Sequence, residues 1–277
     1  MRRTLVSLAC FVFFAGCAPV ENMVLYRPAA AIDEKEPLPP GFEDVTLTTA
    51  SGQTIHARWA PHPEARGAIL YCHGNGGNLQ NRGAPVYDLW RSQKESVLIF
   101  DYPGYGKSQG TPTEKGCYEA AEAGYDWLTK NKNISADKLI LYGESLGGGP
   151  AVDLAFRRPH RALVLVRTFT SIPEVADYQM PLFPADLVMT NRFENLTKMP
   201  RCKQPTFIAQ ADEDSLIPFK HGQRLFNAAG GPKELCVLRG RGHNDPLPPE
   251  FYSHLRQFLE RQGQGEGAAA VPKRTGS

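Results

Sequence analysis

Short apolar runs and helical patterns alternate along most of this chain. The runs are rich in β-branched and aliphatic residues and predict eight β-strands, while apolar positions three or four residues apart predict helices between them. Strands that alternate with helices are typical of an α/β fold, here an eight-stranded, mostly parallel sheet with helices on both faces. The strands are predicted at Val45–Thr49, Thr54–Ala60, Ala68–Cys72, Val97–Phe100, Leu139–Tyr142, Leu163–Val166, Thr206–Ala209 and Leu235–Leu238, and the helices at Cys117–Leu128, Ala151–Phe156 and Phe251–Leu259.

Two regions depart from this alternation. The first two strands follow each other too closely for a crossover helix, so they are expected to form an antiparallel hairpin at one edge of the sheet. Residues 170–200 contain several prolines and no strand pattern, which predicts a small cap inserted into the fold. Three apolar residues of this cap are expected to line a substrate site: Phe183, Leu187 and Met189.

The first 17 residues do not follow the folded pattern. Two arginines precede a short apolar run, Leu5–Phe14, which is typical of an export signal and too short to cross a bilayer as a permanent helix. The run ends in Phe14-Ala15-Gly16-Cys17, which resembles a bacterial lipobox. It predicts that residues 1–17 are a lipoprotein-type signal and that Cys17 bears the lipid. An ordinary signal peptide and an uncleaved anchor are the alternatives.

The other boundaries follow from composition. Residues 18–42 are rich in proline and predict an extended tether, the folded domain is expected over residues 43–261, and residues 262–277 are expected to be disordered. The formal net charge is +2, and loss of the two arginines of the signal lowers it to zero. A neutral chain lacks the field that attracts nucleic acid, so no nucleic-acid partner is expected. Membrane attachment is expected through the N-terminal lipid, in the bacterial cell envelope and facing the periplasm or the cell surface.

The strongest chemical signal is Gly143-Glu144-Ser145-Leu146-Gly147, which follows a predicted strand and precedes a predicted helix. A serine on a tight strand-to-helix turn needs neighbours without side chains two positions away, and glycine meets that need on both sides. Such a turn exposes the hydroxyl and directs the next backbone N–H toward an attacked carbonyl. The context predicts Ser145 as a nucleophile and Leu146 as one donor of an oxyanion hole.

A serine hydroxyl is a weak nucleophile unless a histidine accepts its proton and a carboxylate holds that histidine. His243 is the candidate base, because it follows the last predicted strand, at the edge of the sheet where open α/β folds place their sites. His221 and His254 lie in helical patterns and are assigned to packing or to the surface.

Three carboxylates follow the seventh predicted strand and compete for the role of the acid. Asp214 is preferred as the acid. Hydrolases with an α/β fold often carry an aspartate four residues before a proline at this place, and Asp214 and Pro218 have that spacing. Asp212 is the alternative. The chain order of serine, aspartate and histidine is the one found in α/β-hydrolases.

A second oxyanion donor is expected from the loop after the third strand, His73-Gly74-Asn75-Gly76-Gly77-Asn78, because its glycines allow the main chain to approach a substrate closely. The backbone of Asn75 is the candidate donor, and His73 is expected to hold the loop. No group of histidines and carboxylates has the spacing of a metal site, so neither a metal nor another cofactor is expected.

Four cysteines follow the predicted signal, and none has the short paired spacing of a zinc site. Cys72 and Cys236 lie within apolar strand patterns and are expected to be buried free thiols. A disulfide is the alternative, because an exported chain meets an oxidising compartment. The other two cysteines are Cys117 and Cys202.

Four motifs together resemble the Bem46-type branch of the α/β-hydrolases, over about residues 21–260. The resemblance implies the α/β-hydrolase fold and the same triad and oxyanion donors that are named above. One difference is Gln210-Ala211, where related chains often have His-Gly before the acid. The branch includes thioesterases that remove acyl chains from proteins. The motifs are His73–Asn78, Asp101–Ser108, Tyr142–Gly149 and Gly242–Asn244.

These observations predict a serine hydrolase of carboxylic esters or thioesters, with acyl substrates such as palmitate esters, that works through an acyl-enzyme on Ser145. A serine peptidase or aminopeptidase is the first alternative, because the same triad also cleaves amides. A non-catalytic binding protein that retains the fold is the alternative from another class of function.

Overall fold

The computed structural model describes residues 18–29, 41–182 and 184–263. Over these residues the chain forms nine α-helices, an eight-stranded sheet and a two-stranded parallel sheet of Arg27–Pro28 with Gly76–Gly77. The strands are β1 Glu43–Thr48, β2 Thr54–Ala60, β3 Ala68–Cys72, β4 Ser96–Phe100, β5 Leu139–Glu144, β6 Ala162–Val166, β7 Thr206–Ala211 and β8 Lys233–Leu238. The helices are α1 Ala18–Leu25, α2 Gly83–Gln93, α3 Glu114–Asp126, α4 Gly148–Arg157, α5 Ile172–Gln179, α6 Ala185–Val188, α7 Asn195–Lys198, α8 Phe219–Ala228 and α9 Pro249–Gly263.

The strand order across the sheet is β8-β7-β6-β5-β3-β4-β2-β1. The β1–β2 and β2–β4 pairs are antiparallel, and all other neighbours are parallel. The predicted fold class and the hairpin at one edge are therefore confirmed. Each predicted strand corresponds to one observed strand, with ends that differ by at most two residues.

Both faces of the sheet are covered. Along β3, Ile69 and Tyr71 point to one face, whereas Leu70 and Cys72 point to the other, as the period of two in a strand requires. Helices α2 and α9 pack on the first face, and α3, α4 and α8 pack on the second. Because a parallel sheet is buried on both faces, its central strands β3, β4, β5 and β6 are buried almost along their whole length.

The cap lies between β6 and β7, and its helical elements begin and end within two residues of the predicted range 170–200. It contains α5, α6 and α7 and a short 3-10 turn, Met199–Arg201. Helix α5 begins where the sequence favours it, because Ser171 accepts a hydrogen bond from the Glu174 N–H and Pro173 occupies the first turn. Helices α6 and α7 are single turns of four residues.

The ends of the domain differ from prediction. Residues 18–29 are not an extended tether, because Ala18–Leu25 is helical and Arg27–Pro28 pairs in parallel with Gly76–Gly77. Contacts with distant parts of the fold stabilise this segment. At the other end, α9 continues to Gly263, two residues past the predicted boundary. The predicted signal (1–17), the central part of the predicted tether (30–40), Phe183 and residues 264–277 lie outside the described residues.

Candidate active site

Ser145 lies on a sharp turn between β5 and α4. Its φ is 50°, a left-handed conformation that costs a residue with a side chain on the order of 1–3 kcal/mol. The flanking glycines make the turn possible. A Cβ on Gly147 would lie 1.9 Å from the Cys72 carbonyl oxygen, and a Cβ on Gly143 would lie 2.5 Å from the Gly147 carbonyl oxygen. The turn therefore tolerates no side chain at either glycine.

The fold brings Ser145, His243 and Asp214 together. Ser145 Oγ and His243 Nε2 are 2.9 Å apart, and His243 Nδ1 is 2.7 Å from Asp214 Oδ2. The Asp214 carboxylate is buried, and its other oxygen accepts hydrogen bonds from the backbone N–H groups of Leu216 at 2.9 Å and Ile217 at 2.7 Å. A carboxylate held in this way can keep His243 Nδ1 protonated, which leaves Nε2 to accept the serine proton.

Asp212, the alternative acid, has a different position. It is exposed, and its Oδ1 accepts a hydrogen bond from the Gly240 N–H at 2.7 Å. This contact holds the loop that leads from β8 to His243. The geometry therefore favours Asp214 as the partner of the histidine.

The two predicted oxyanion donors both border the serine. Leu146 is the second residue of the 3-10 turn Ser145–Gly147 that leads into α4, where N–H groups have no carbonyl partner within the helix. The loop that carries Asn75 passes close by, since a Cβ on Gly74 would lie 3.5 Å from Ser145 Cβ. Leu146 and Asn75 both line the same cavity as Ser145.

The side chain of Asn75 is occupied by structural contacts. Its Nδ2 donates to the Leu25 carbonyl oxygen at 2.6 Å, and its Oδ1 accepts from the Arg27 N–H at 3.1 Å and from the Tyr105 hydroxyl at 2.7 Å. Asn75 thereby fastens the N-terminal segment to the active-site loop. What it can offer to a substrate is its backbone N–H, as the sequence predicts.

Buried polar contacts support this loop from beneath. His73 Nδ1 is 2.6 Å from the Gly74 carbonyl oxygen, and its Nε2 is 3.5 Å from Asp101 Oδ1, which also accepts from the Leu79 N–H at 2.9 Å. Burial alone would raise the pKa of Asp101, but hydrogen bonds with His56 and His73 outweigh it and lower that pKa. These contacts fit the structural role expected for His73.

Arg167 is a residue of the site that the sequence analysis missed. It is buried, its φ is 49°, its Nη2 donates to Glu144 Oε1 at 2.7 Å, and its Nη1 donates to the Asp245 carbonyl oxygen at 2.5 Å. The other Glu144 oxygen accepts from the Tyr71 hydroxyl. Because Glu144 precedes the serine and Asp245 follows His243 by two residues, Arg167 links the serine turn to the histidine loop. An arginine directly after an apolar strand was the available signal.

A cavity of about 1240 Å³ lies over Ser145 and His243. Small-molecule pockets are typically about 300–1,000 Å³, so this cavity admits a large substrate. Its lining is predominantly apolar. The cap and the segment before it contribute Phe169, Ile172, Val175, Met180 and Met189.

The cap residues that were predicted to line the substrate site do not all do so. Met189 lines the cavity. Leu187 does not line it and is 83 % exposed, so that prediction is wrong. The single turn of α6 buries Ala185 and leaves Leu187 on its outer side.

His221, His254 and the cysteine thiols contact residues outside the triad. His221 Nδ1 is 2.7 Å from Thr170 Oγ1 at the start of the cap, and burial lowers the pKa of His221 to about 4. His254 contacts Glu234, and its ring packs on Phe207. Four cysteines of the described residues are buried free thiols: Cys72, Cys117, Cys202 and Cys236.

The described residues contain neither a candidate metal site nor a helix that could span a membrane. No group of three or more His, Cys, Asp or Glu side chains in ranges 18–29, 41–182 and 184–263 is arranged to hold a metal ion. In the same part of the chain, no helix has both the length and the apolar character needed to cross a membrane.

Comparison with known proteins agrees with the fold. Residues 67–190 match the sequence model of the family described as alpha/beta hydrolase fold. An uncharacterized protein of Mycobacterium tuberculosis is 32% identical over 229 residues, which cover 82% of this chain and 81% of that protein. The human alpha/beta hydrolase domain-containing protein 17B is 34% identical over 204 residues, which cover 72% of this chain and 68% of that protein.

Solved structures agree at the level of the fold. The Pyrococcus furiosus esterase Pf2001 has a TM-score of 0.73 and 19% identity, with 86% of this chain and 98% of that chain covered. The sequence relatives from Mycobacterium tuberculosis and human are consistent with the Bem46-type branch. Together with the sheet order and the serine turn, they show that the chain belongs to the α/β-hydrolase family.

Proposed function

We propose that the protein is a serine hydrolase of carboxylic esters or thioesters, acting through an acyl-enzyme on Ser145. The observation that carries the proposal is the hydrogen-bonded chain from Ser145 through His243 to the buried Asp214. A nucleophile within hydrogen-bond reach of a base, with the base oriented by a third group, is the arrangement that activates a serine. The reaction requires no cofactor.

In the acylation step, Ser145 Oγ attacks the carbonyl carbon of the substrate while His243 Nε2 takes the hydroxyl proton. The negative charge that develops on the substrate oxygen is stabilised by the backbone N–H groups of Leu146 and Asn75. When the tetrahedral intermediate collapses, His243 gives its proton to the departing alcohol or thiol. Asp214 accepts the hydrogen bond from Nδ1 throughout and stabilises the imidazolium.

In the deacylation step, a water molecule attacks the acyl carbon and His243 Nε2 takes a proton from it. The same two N–H groups stabilise the second tetrahedral intermediate. Collapse of that intermediate breaks the bond to Ser145 Oγ, which recovers its proton from His243. The products are the free carboxylic acid and the regenerated enzyme.

The lining of the cavity supports an acyl substrate. The cap side chains that border it, among them Ile172, Val175 and Met189, are apolar. Two of the charged residues that line the cavity, Arg167 and Glu144, pair with each other at 2.7 Å. This pairing favours an acyl chain over the charged terminus that an aminopeptidase would bind.

We also propose that the protein is exported and anchored through lipid on Cys17 in the bacterial cell envelope. The basic start, the short apolar run and the small residues before Cys17 support this location. A membrane-anchored hydrolase would meet long acyl chains in its surroundings.

The proposal is tested by labelling the purified protein with a fluorophosphonate probe, beside Ser145→Ala. We expect the wild type to be labelled and the variant not. p-Nitrophenyl esters from acetate to palmitate then measure turnover and chain-length preference, and an aminoacyl p-nitroanilide measures the amide alternative. Absence of labelling in a folded wild-type sample would contradict the serine hydrolase and favour the non-catalytic binding protein.

A further inference from the structure

Five large apolar side chains are exposed around the mouth of the cavity. Leu182 is 100% exposed and Leu187 is 83% exposed, and the other three lie between 43% and 47%. Clustered exposure of this kind marks an interaction surface, whereas single exposed apolar residues are common. We call this cluster the apolar rim, and it consists of Tyr178, Met180, Leu182, Leu187 and Leu216.

The apolar rim is continuous with the cavity. Met180 and Leu216 line the cavity as well as the surface, and the two residues that follow Leu187 also line it. The two parts of the rim are tied together, because Gln179 Nε2 donates to the carbonyl oxygens of Ser215 at 2.8 Å and Leu216 at 3.0 Å. An apolar molecule on the rim therefore has an apolar path into the cavity.

The cap segment of the rim carries little charge in its own sequence. From Tyr178 to Met189 the sequence has one residue that is charged at neutral pH, Asp186. Its carboxylate pairs with Arg192 at 2.6 Å. Because unpaired charges resist transfer out of water, this composition suits contact with an apolar phase.

The N-terminal helix brings the start of the described chain to the same border. Glu21 on α1 accepts hydrogen bonds from the backbone N–H groups of Thr190 at 2.9 Å and Asn191 at 2.8 Å, directly after the rim segment. Helix α1 begins at Ala18, the residue that follows Cys17 in the sequence. A lipid on Cys17 would enter a bilayer beside the cap.

We propose that the apolar rim docks on the surface of a lipid bilayer, so that the cavity opens onto the membrane and acyl chains enter it directly. The occupant is a lipid surface because helix α1, which directly follows the proposed lipid site in the sequence, lies beside the cap segment that carries the apolar rim and borders the cavity. The inference rests on the proposed lipid attachment, and its benefit to catalysis rests on the proposed acyl hydrolysis.

Fluorescence quenching tests the docking without requiring activity. A fluorophore is attached to Leu182→Cys in the full, lipidated protein, which is reconstituted into phosphatidylcholine and phosphatidylglycerol vesicles that carry nitroxide lipids. The control is Gln257→Cys, which lies at an exposed position of α9. Helix α9 runs toward the amino ends of the strands, away from the active site, since Arg161, directly before β6, donates to the Leu259 carbonyl oxygen at 3.0 Å. The native thiols of the described residues are buried, so each protein takes one label. We expect quenching about fivefold stronger at position 182.

Activity provides a second test. Leu182 and Leu187 do not line the cavity, so the double variant L182S/L187S leaves the site intact, and L182M/L187M keeps the rim apolar. We expect the serine variant to lose about tenfold in hydrolysis of a palmitoyl ester within vesicles and to keep its rate on a soluble butyryl ester. The methionine variant is expected to retain both rates.

Three results would overturn the docking proposal. They are equal quenching at positions 182 and 257, an unchanged vesicle rate in the serine variant, and conversion of a dimer to a monomer by L182S/L187S in sedimentation. The last result would assign the rim to a second copy of the chain. Loss of all ester hydrolysis in the wild type, with strong quenching at position 182, would instead contradict the proposed chemistry and leave the docking supported.

Discussion

The serine turn and the cap border the same cavity but are built in opposite ways. At the turn the backbone is packed so closely that a Cβ on Gly147 would lie 1.9 Å from a carbonyl oxygen, and Ser145 keeps a strained φ of 50°. In the cap two of the three helices are single turns, and Leu182 is fully exposed. The comparison indicates that main-chain packing of the sheet holds the reacting groups, whereas the surface that would select a substrate is free to vary.

The physical reason lies in the architecture. The carboxyl ends of parallel strands meet at one edge of the sheet, where the buried core restrains the loops that leave it. The cap is an insertion between two strands and can change without altering their register. If this comparison is correct, changes at the sheet edge should affect the rate of reaction, and changes in the cap should affect the choice of substrate.

The largest expected effect is at the histidine partner. Asp214→Asn should lower kcat by about 10⁴-fold, because an asparagine favours the wrong tautomer of His243. Asp212→Asn is the matched control and should lower kcat by less than about threefold, since Asp212 is exposed and an asparagine Oδ1 can still accept the hydrogen bond from the Gly240 N–H. Both are measured with p-nitrophenyl butyrate on protein whose folding is verified by circular dichroism. A larger loss of kcat for Asp212→Asn than for Asp214→Asn would identify Asp212 as the acid.

A smaller effect is expected where Arg167 joins the serine turn to the histidine loop. Arg167→Met should lower kcat about 10- to 100-fold and change KM by less than about threefold, because the reacting groups lose alignment while substrate contacts remain. The partly buried Glu144 carboxylate also loses its cationic partner. Arg167→Lys should restore part of kcat. A merely structural role predicts a lower Tm with unchanged kcat in the folded fraction.

The cap should change specificity by a few-fold. In detergent solution, Met189→Ala should lower the ratio of palmitate to acetate turnover about two- to tenfold, because the acyl chain loses apolar contact. Leu187→Ala removes a side chain that does not line the cavity, and its ratio should match that of the wild type. Equal ratios in all three proteins would place the acyl chain elsewhere.

The smallest effect concerns pH and the contact between α1 and the cap. Burial alone would raise the pKa of Glu21, but hydrogen bonds from Thr190 and Asn191 outweigh it and lower that pKa below its usual value. The charged carboxylate therefore stabilises the fold above the unfolded pKa, and this contribution is lost as pH falls through the lowered pKa. When the pH falls from about 6 to about 3, the free energy of unfolding of the wild type should decrease by less than about 1 kcal/mol relative to that of Glu21→Gln. The effect is small because the Glu21 carboxylate is partly exposed. Denaturant unfolding at several pH values measures the difference in free energy of unfolding between the two proteins. A difference that does not change with pH would contradict this prediction.

Much of the scaffold was predictable because its signals are local. Alternation and apolar runs identified the eight strands, and the GxSxG context identified the serine turn, since both depend on residues a few positions apart. Helix α2 was missed, because it begins with glycine and contains Pro85. Helix α8 was not predicted as an element either, although His221 was assigned to a helical pattern.

Local sequence patterns do not predict contacts between residues that are far apart in the sequence. The Arg167 to Asp245 hydrogen bond joins residues 78 positions apart, and the Glu21 to Asn191 bond joins residues 170 positions apart. No periodicity reports such pairs. The Glu21 bonds to Thr190 and Asn191 stabilise the segment that contains helix α1, which is why a proline-rich composition wrongly predicted an extended tether there.

The sequence by itself determined the α/β fold class, the serine turn and the residue types available for its chemistry, because steric limits and apolar periodicity act over short stretches. The tertiary structure decided that Asp214 rather than Asp212 faces His243, that Arg167 joins the two loops, and that Leu187 lies outside the cavity. Those outcomes depend on where strand ends meet in space and on which side chains the core can bury.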